Sequence, residues 1–188
     1  NWTEVNDLNL ARFQLAGAGT NTAALAFGGQ PTGDRTELWN GTNWTEVNDL
    51  NTARGYLAGA GTQTAALAIG GSVSPRAQTE LWNGTNWTEV NDLNTGRKFL
   101  AAAGTANTAV LAFGGEYPGV PSAGETESWN GTNWTSVSNL NNAREKLAGA
   151  GASNTSALAF GGTPAAVATT VATEEWNDGA QVKTIATD

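Results

Sequence analysis

Two ionisable side chains return through this chain at a near-constant step: Arg12, Arg54, Arg97 and Arg144, which lie 42, 43 and 47 residues apart, and Glu37, Glu80, Glu127 and Glu174. Guanidinium groups gathered at one opening would make an anion site, because their planar fork pairs with carboxylates and phosphates. A joint made identically by every unit is commoner than a site made identically by every unit. The pattern therefore predicts that each Arg is held by a Glu or by backbone carbonyls where units meet. The tetrapeptide Asn-Asp-Leu-Asn, at 6–9, 48–51 and 91–94, offers oxygen ligands. It lacks the alternate-position carboxylates and the glycine of a calcium loop and reads as a turn. Asp34, Arg35, Arg76, Glu116, Tyr117 and Glu125 stand in segments that differ from copy to copy, and they are the candidate binding residues. No metal or cofactor is implied by this set, and no catalytic residue is assigned.

What the chain lacks narrows the chemistry further. It has no histidine and no cysteine, which removes the commonest general base, the thiolate nucleophile and the commonest metal ligands. With 17 acidic against 9 basic side chains the formal net charge is -8, so nucleic acid and anionic membrane are expected to be repelled. No apolar run of about 18 residues is present to span a bilayer. The reading is a soluble chain without membrane insertion. Methionine is absent as well, as expected of a processed chain or an excerpt of a longer one.

The elements that must position these residues follow from the repeat, which is the first thing to look for in such a chain. TELWNGTNWTEVNDL at 36–50 returns nearly unchanged at 79–93 and 126–140, and its second half opens the chain at 1–8. After each Arg comes a run of small residues (LAGAG at 15–19), a polar turn, and an apolar run closed by a glycine pair (AALAFGG at 23–29). A loop of changing length, then TELW, NGTN and WTEV complete the unit. Runs of five to seven residues bounded by Gly, Asn and Thr are too short for helices and predict four strands, a to d. Asn40-Gly41, Asn83-Gly84 and Asn130-Gly131 supply residues that tolerate positive φ, so strands c and d form a hairpin. Each hairpin carries two tryptophans five apart: Trp39 and Trp44, Trp82 and Trp87, Trp129 and Trp134. A buried indole contributes roughly 4 kcal/mol at about 25 cal/mol per Å², and these rings are expected to join neighbouring sheets.

The glycine pair after the second strand, the aromatic closing the third, the tryptophan five positions on and the arginine before the next first strand together resemble the kelch repeat. That resemblance implies an all-β chain, a β-propeller of four-stranded blades around an axis, over residues 1–188 as one domain. The blades are expected near 10–50, 51–93, 94–140 and 141–188. Residues 1–8 supply the closing strand, with Trp2 to Val5 completing the blade that begins at Leu147. A larger ring, or an eight-bladed pair of chains, is the competing arrangement. The fourth blade's own candidate last strand is Val182 to Ile185, which has lost the Trp and the Asn-Gly turn. The third-strand aromatic is Trp where kelch repeats usually have Tyr, and the inner strands are richer in Ala and Gly. The near-identical copies are also similar to repeat arrays in structural and tail proteins of marine bacteriophages.

In such a blade the a-b and c-d turns share one face and the b-c and d-a connections share the other. The c-d turns are uniform. The b-c loops, 30–35, 72–78, 116–125 and 163–173, hold nearly all the length variation, and binding on a rigid scaffold usually sits in such loops. The expectation is a non-enzymatic binding or structural module on a virion or appendage surface, extracellular, contacting host-surface polysaccharide or a neighbouring subunit. An intracellular protein-interaction propeller is the alternative. A kelch-type enzyme is the remote one, since copper oxidases of that kind need His and Cys ligands.

Overall fold

The computed structural model describes residues 1–165 and 169–178, and among these every regular element is a β-strand. Sheet I is β1 (Ala16–Gly19), β2 (Ala24–Phe27), β3 (Thr36–Trp39) and β4 (Trp44–Val47), paired antiparallel in that order. Sheet II repeats it with β5 (Ala58–Thr62), β6 (Ala65–Ile69), β7 (Thr79–Trp82) and β8 (Trp87–Val90). Sheet III is β9 (Ala101–Ala106), β10 (Ala109–Phe113), β11 (Thr126–Trp129) and β12 (Trp134–Val137). The short β13 (Arg144–Glu145) pairs with β16 (Thr163–Pro164). Sheet IV is β14 (Ala148–Ser153), β15 (Ser156–Phe160) and β17 (Thr173–Asn177), three strands among the described residues. The first strands pack in series, β1 on β5, β5 on β9 and β9 on β14.

Small residues in those first strands let the sheets approach. A Cβ on Gly59 would stand 2.7 Å from the Phe27 ring and 2.7 Å from the Gly17 carbonyl oxygen, so the ring of one sheet lies on the bare backbone of the next. The tryptophans divide the work. The third-strand Trp39 and Trp129 donate Nε1–H to the a-b turn of their own sheet, at Asn21 and Asn107. The fourth-strand rings join sheets: Trp87 lies 4.9 Å from Phe27 and donates to Thr36 Oγ1 at 3.0 Å, and Trp134 donates to Thr79 Oγ1 at 3.1 Å. In the NGTN turns Gly41 takes positive φ, but Asn40 contributes by its side chain, Oδ1 accepting from the backbone N–H of Thr42 and Asn43 at 2.9 Å each.

The Asn-Asp-Leu-Asn turn clasps two sheets together. Asp49 accepts from the Thr36 N–H of the sheet just completed, and Leu50 is buried. Asn48 donates to Thr85 and Asn86 in the next sheet's c-d turn, and Asn51 donates to Glu80 and Trp87 there.

The expected closing strand is not formed. Trp2 and Val5 are exposed, and residues 1–8 carry no strand. The segment is instead fastened to sheet I as each later linker is fastened to its own sheet: Asn6 donates to Thr42 and Asn43, and Asn9 to Glu37 and Trp44. Trp2 itself stays fully exposed, and β14 packs on β9 and makes no comparable packing with β1. The described sheets therefore form an open series, not a closed ring. Val182 to Ile185 lies outside the described residues.

Candidate functional site

The antiparallel order puts the a-b and c-d turns on one rim of the series, and the b-c loops and the linkers between sheets on the other. On the linker rim the side chain of every periodic Arg is buried. Arg12 Nη2 lies 2.9 Å from Glu37, Arg97 Nη2 lies 3.3 Å from Glu127, and Arg54 and Arg144 pair with Glu80 and Glu174. The four pairs stay within single sheets, tying each incoming linker to strand c. Arg12 also donates to the Gly28 and Arg35 carbonyls, and Arg54 to those of Gly70 and Ala68. Burial pushes the Arg97 pKa down, opposed by the nearby charge of Glu127. Glu174 experiences burial that raises its pKa, but bonds from Arg144 and the Asn141 backbone outweigh it and the carboxyl is held below its usual value. These guanidinium groups are enclosed in joints and none faces a cavity as an anion site. The second glycine of each pair belongs to the same joints: Gly29, at φ 94°, donates to the Arg54 carbonyl, and a Cβ there would meet the Phe13 carbonyl at 2.9 Å.

The six candidate binding residues divide. Arg35 is drawn away to the fourth strand, where it pairs with Glu46 and approaches Asp49 at 3.6 Å. Its neighbour Asp34 is half-buried, with its carbonyl accepting from Leu50. Arg76, Glu116, Tyr117 and Glu125 gather instead around the third sheet's loop. Glu116 Oε1 lies 2.9 Å from Lys98 and 4.0 Å from Arg76, and Tyr117 donates to Glu125 at 2.9 Å. Partial burial raises the Glu116 pKa, but the bond to Lys98 and its charge outweigh that and leave it lowered. The Glu125 bond holds the Tyr117 phenol above its ordinary value.

A row that sequence reasoning passed over joins this cluster. Gln14, Tyr56, Phe99 and Lys146 occupy the position just before the first leucine of each unit, and all four have left-handed backbones, φ 58°, 60°, 57° and 53°. Such φ costs a non-glycine residue on the order of 1 kcal/mol or more. It is offset by a backbone ladder running across the sheets: Tyr56 donates to Gln14, Phe99 to Tyr56 and Lys146 to Phe99, at 2.9, 3.0 and 2.9 Å. The four side chains, with the leucines that follow them, line one open concavity of about 360 Å³. Tyr56 and Phe99 meet edge to face with centroids 4.5 Å apart. Lys98 Nζ stands 4.8 Å and Lys146 Nζ 4.7 Å from the Phe99 centroid. The signal was present in the sequence. Between the constant Arg and the constant Leu the two intervening residues read FQ, GY, KF and EK, different in every copy.

Chemically, the concavity combines aromatic surface with ammonium groups that keep spare donors. Lys98 bonds Glu116 and Lys146 bonds Glu145 at 2.6 Å, and an ammonium has three donors. No family model matches the chain, and no curated protein matches it.

Proposed function

We propose that the chain is a non-enzymatic recognition module whose linker rim takes an acidic carbohydrate, with its sheets standing as blades of a kelch-like β-propeller on a virion or appendage surface. The observation that carries the reading is that non-repeated residues both line one concavity and border it. Tyr56, Phe99, Lys98, Lys146, Arg76 and Glu116 are all departures from the repeat, and they lie together on a scaffold otherwise built of copies. Aromatic faces suit the C–H surface of a pyranose, and the cations suit a carboxylate or sulfate on it. Among the described residues the cations outside the buried joints are Arg35, Arg76, Lys98 and Lys146, and all but Arg35 lie beside this concavity of an acidic chain.

The test is retention of the purified chain on immobilised acidic and neutral polysaccharides, beside a Tyr56→Gly/Phe99→Gly variant. Glycine suits the left-handed backbone at both positions, so the variant removes the rings without straining the ladder. Expected are selective retention on acidic polymers, weakening as salt rises, and its loss in the variant. Equal retention on neutral polymers, or retention by the variant, overturns the reading.

A further inference from the structure

The two ends of the sheet series are complementary, and we infer that a second copy of this chain docks head to tail across them, donating Trp2 to Val5 as the fourth strand of sheet IV. Among the described residues, three features that the junctions between sheets I, II and III satisfy are left open at sheet IV and at the head of sheet I, and each open half on one matches an open half on the other.

The first is the ring on bare backbone. Phe27 lies over Gly59 and Phe113 over Gly149, where a Cβ would stand 2.7 Å from the ring in both cases. At the middle junction Ile69 replaces Phe and Ala102 replaces Gly, within one apolar cluster, so the larger side chain goes with the smaller partner. Phe160 holds the corresponding place in sheet IV and is 40% exposed, with Leu158 beside it at 41%, against 0–1% for Phe27, Leu25, Leu67 and Leu111. At the other end Gly17, the counterpart of Gly59 and Gly149, is exposed. A Cβ there meets only its own sheet, the Leu25 carbonyl at 3.4 Å. The end that presents Phe is thus matched by the end that presents Gly.

The second is the indole socket. Trp87 and Trp134 each fill the gap between their own sheet and the one before it, donating to a third-strand Thr. Between sheets III and IV the corresponding place is a cavity of about 190 Å³, lined by Phe113, Thr126, Leu140, Leu158 and Trp176. Trp2 precedes Asn6 and Asn9 by the same steps that separate Trp44 from Asn48 and Asn51, and it is fully exposed. Among the described residues it is an indole without a socket, and the place between sheets III and IV is a socket that no indole fills.

The third is the strand edge. Asn6 and Asn9 fix the segment on sheet I, so Trp2 to Val5 stands exposed at the head with no strand to pair with among the described residues. Strand addition of this kind supplies backbone bonds to an open edge. The pairings Trp39 with Trp44, Leu38 with Thr45 and Thr36 with Val47 set the register: Trp176 opposite Trp2, Glu175 opposite Thr3, Thr173 opposite Val5. The head face itself is an open concavity of about 460 Å³ lined by Leu8, Leu15, Gly17, Ala26 and Trp44, which receives Phe160. Such a contact joins unlike surfaces, so two copies close into a ring if the rotation allows and otherwise grow as a series.

The experiment uses the whole chain and two end variants. Light scattering after size separation is expected to find the parent self-associated. Phe160→Asp blocks the tail and Gly17→Glu blocks the head, and each variant alone is expected to be monomeric with an unchanged circular dichroism spectrum. Mixed together they are expected to form a one-to-one dimer, because one retains a head and the other a tail. A monomeric parent, or a mixture that stays monomeric while the parent associates, overturns the inference. The register is tested in a chain that has no native cysteine. Thr3→Cys/Glu175→Cys is expected to oxidise to covalent dimers and longer species. A disulfide confined within single chains means that the strand closes on its own sheet IV, and that also overturns the inference.

Discussion

The turn rim and the linker rim are borne by the same strands and are built on opposite terms. On the turn rim one sentence is written three times: Asn40, Asn83 and Asn130 each accept from two backbone N–H groups of their turn. Asn48 and Asn91 reach across to the next turn in the same way. On the linker rim the buried Arg and Glu, the glycine pair and the Asn-Asp-Leu-Asn turn recur, while the two residues after each Arg and the b-c loops change from sheet to sheet. Every non-glycine residue of positive φ among the described residues, Gln14, Tyr56, Arg76, Phe99 and Lys146, is on this rim. The contrast teaches that a repeat scaffold can keep its joints fixed and place its individuality on adjacent positions of the same segment.

The sharpest way to break that comparison is at the joint itself. Arg54→Ala leaves Glu80 buried without its partner and is expected to cost about 3–5 kcal/mol. Arg35→Ala, at an exposed pair, is expected to cost less than about 1 kcal/mol. Chemical denaturation of both variants reads the difference, and equal losses would erase the distinction between constant and individual residues. Next in size is Trp87→Phe, which removes the bond to Thr36 at a buried junction and is expected to cost about 1 kcal/mol. Trp44→Phe, at the uncovered head, is expected to leave the monomer's melting temperature nearly unchanged.

A smaller effect sharpens the comparison through pH. Glu174 has its pKa lowered on folding, so its contribution is whole above the ordinary carboxylate value and is lost as pH falls through the lowered folded value. Glu174→Gln is therefore expected to be less stable than the parent near neutrality and to show a shallower loss in acid, measured by urea midpoints from pH 7 to 3.

Much of the scaffold was legible because its signals are local. Runs bounded by Gly and Asn mark β1 to β12, and the recurring Arg and Glu mark residues that are buried ion pairs. The clasp made by Asn48 and Asn51 was not legible, since a side chain's partner some 30 to 40 residues away has no local signature. Closure by Trp2 is not seen among the described residues, where the indole is exposed. Repeat phase assigns the segment a strand, but the asparagines that follow it decide which sheet holds it. The row of Gln14, Tyr56, Phe99 and Lys146 escaped because left-handed backbone is expected at glycine, and here tertiary bonds impose it on large side chains. Loop length places Arg35 and Glu116 in one class, while the structure gives them different surroundings.

The most direct test of the account pairs one variant from each rim, Phe99→Gly and Asn86→Ala, and measures affinity for an acidic polysaccharide by titration calorimetry alongside thermal melting. The account predicts a double dissociation. Phe99→Gly weakens binding at least about tenfold, the loss of roughly 1.4 kcal/mol of aromatic contact, with its melting temperature held. Asn86→Ala lowers the melting temperature by the worth of about one hydrogen bond and leaves binding intact. Unchanged affinity in Phe99→Gly, or a binding loss in Asn86→Ala as large as in Phe99→Gly, would contradict the assignment of recognition to the linker rim.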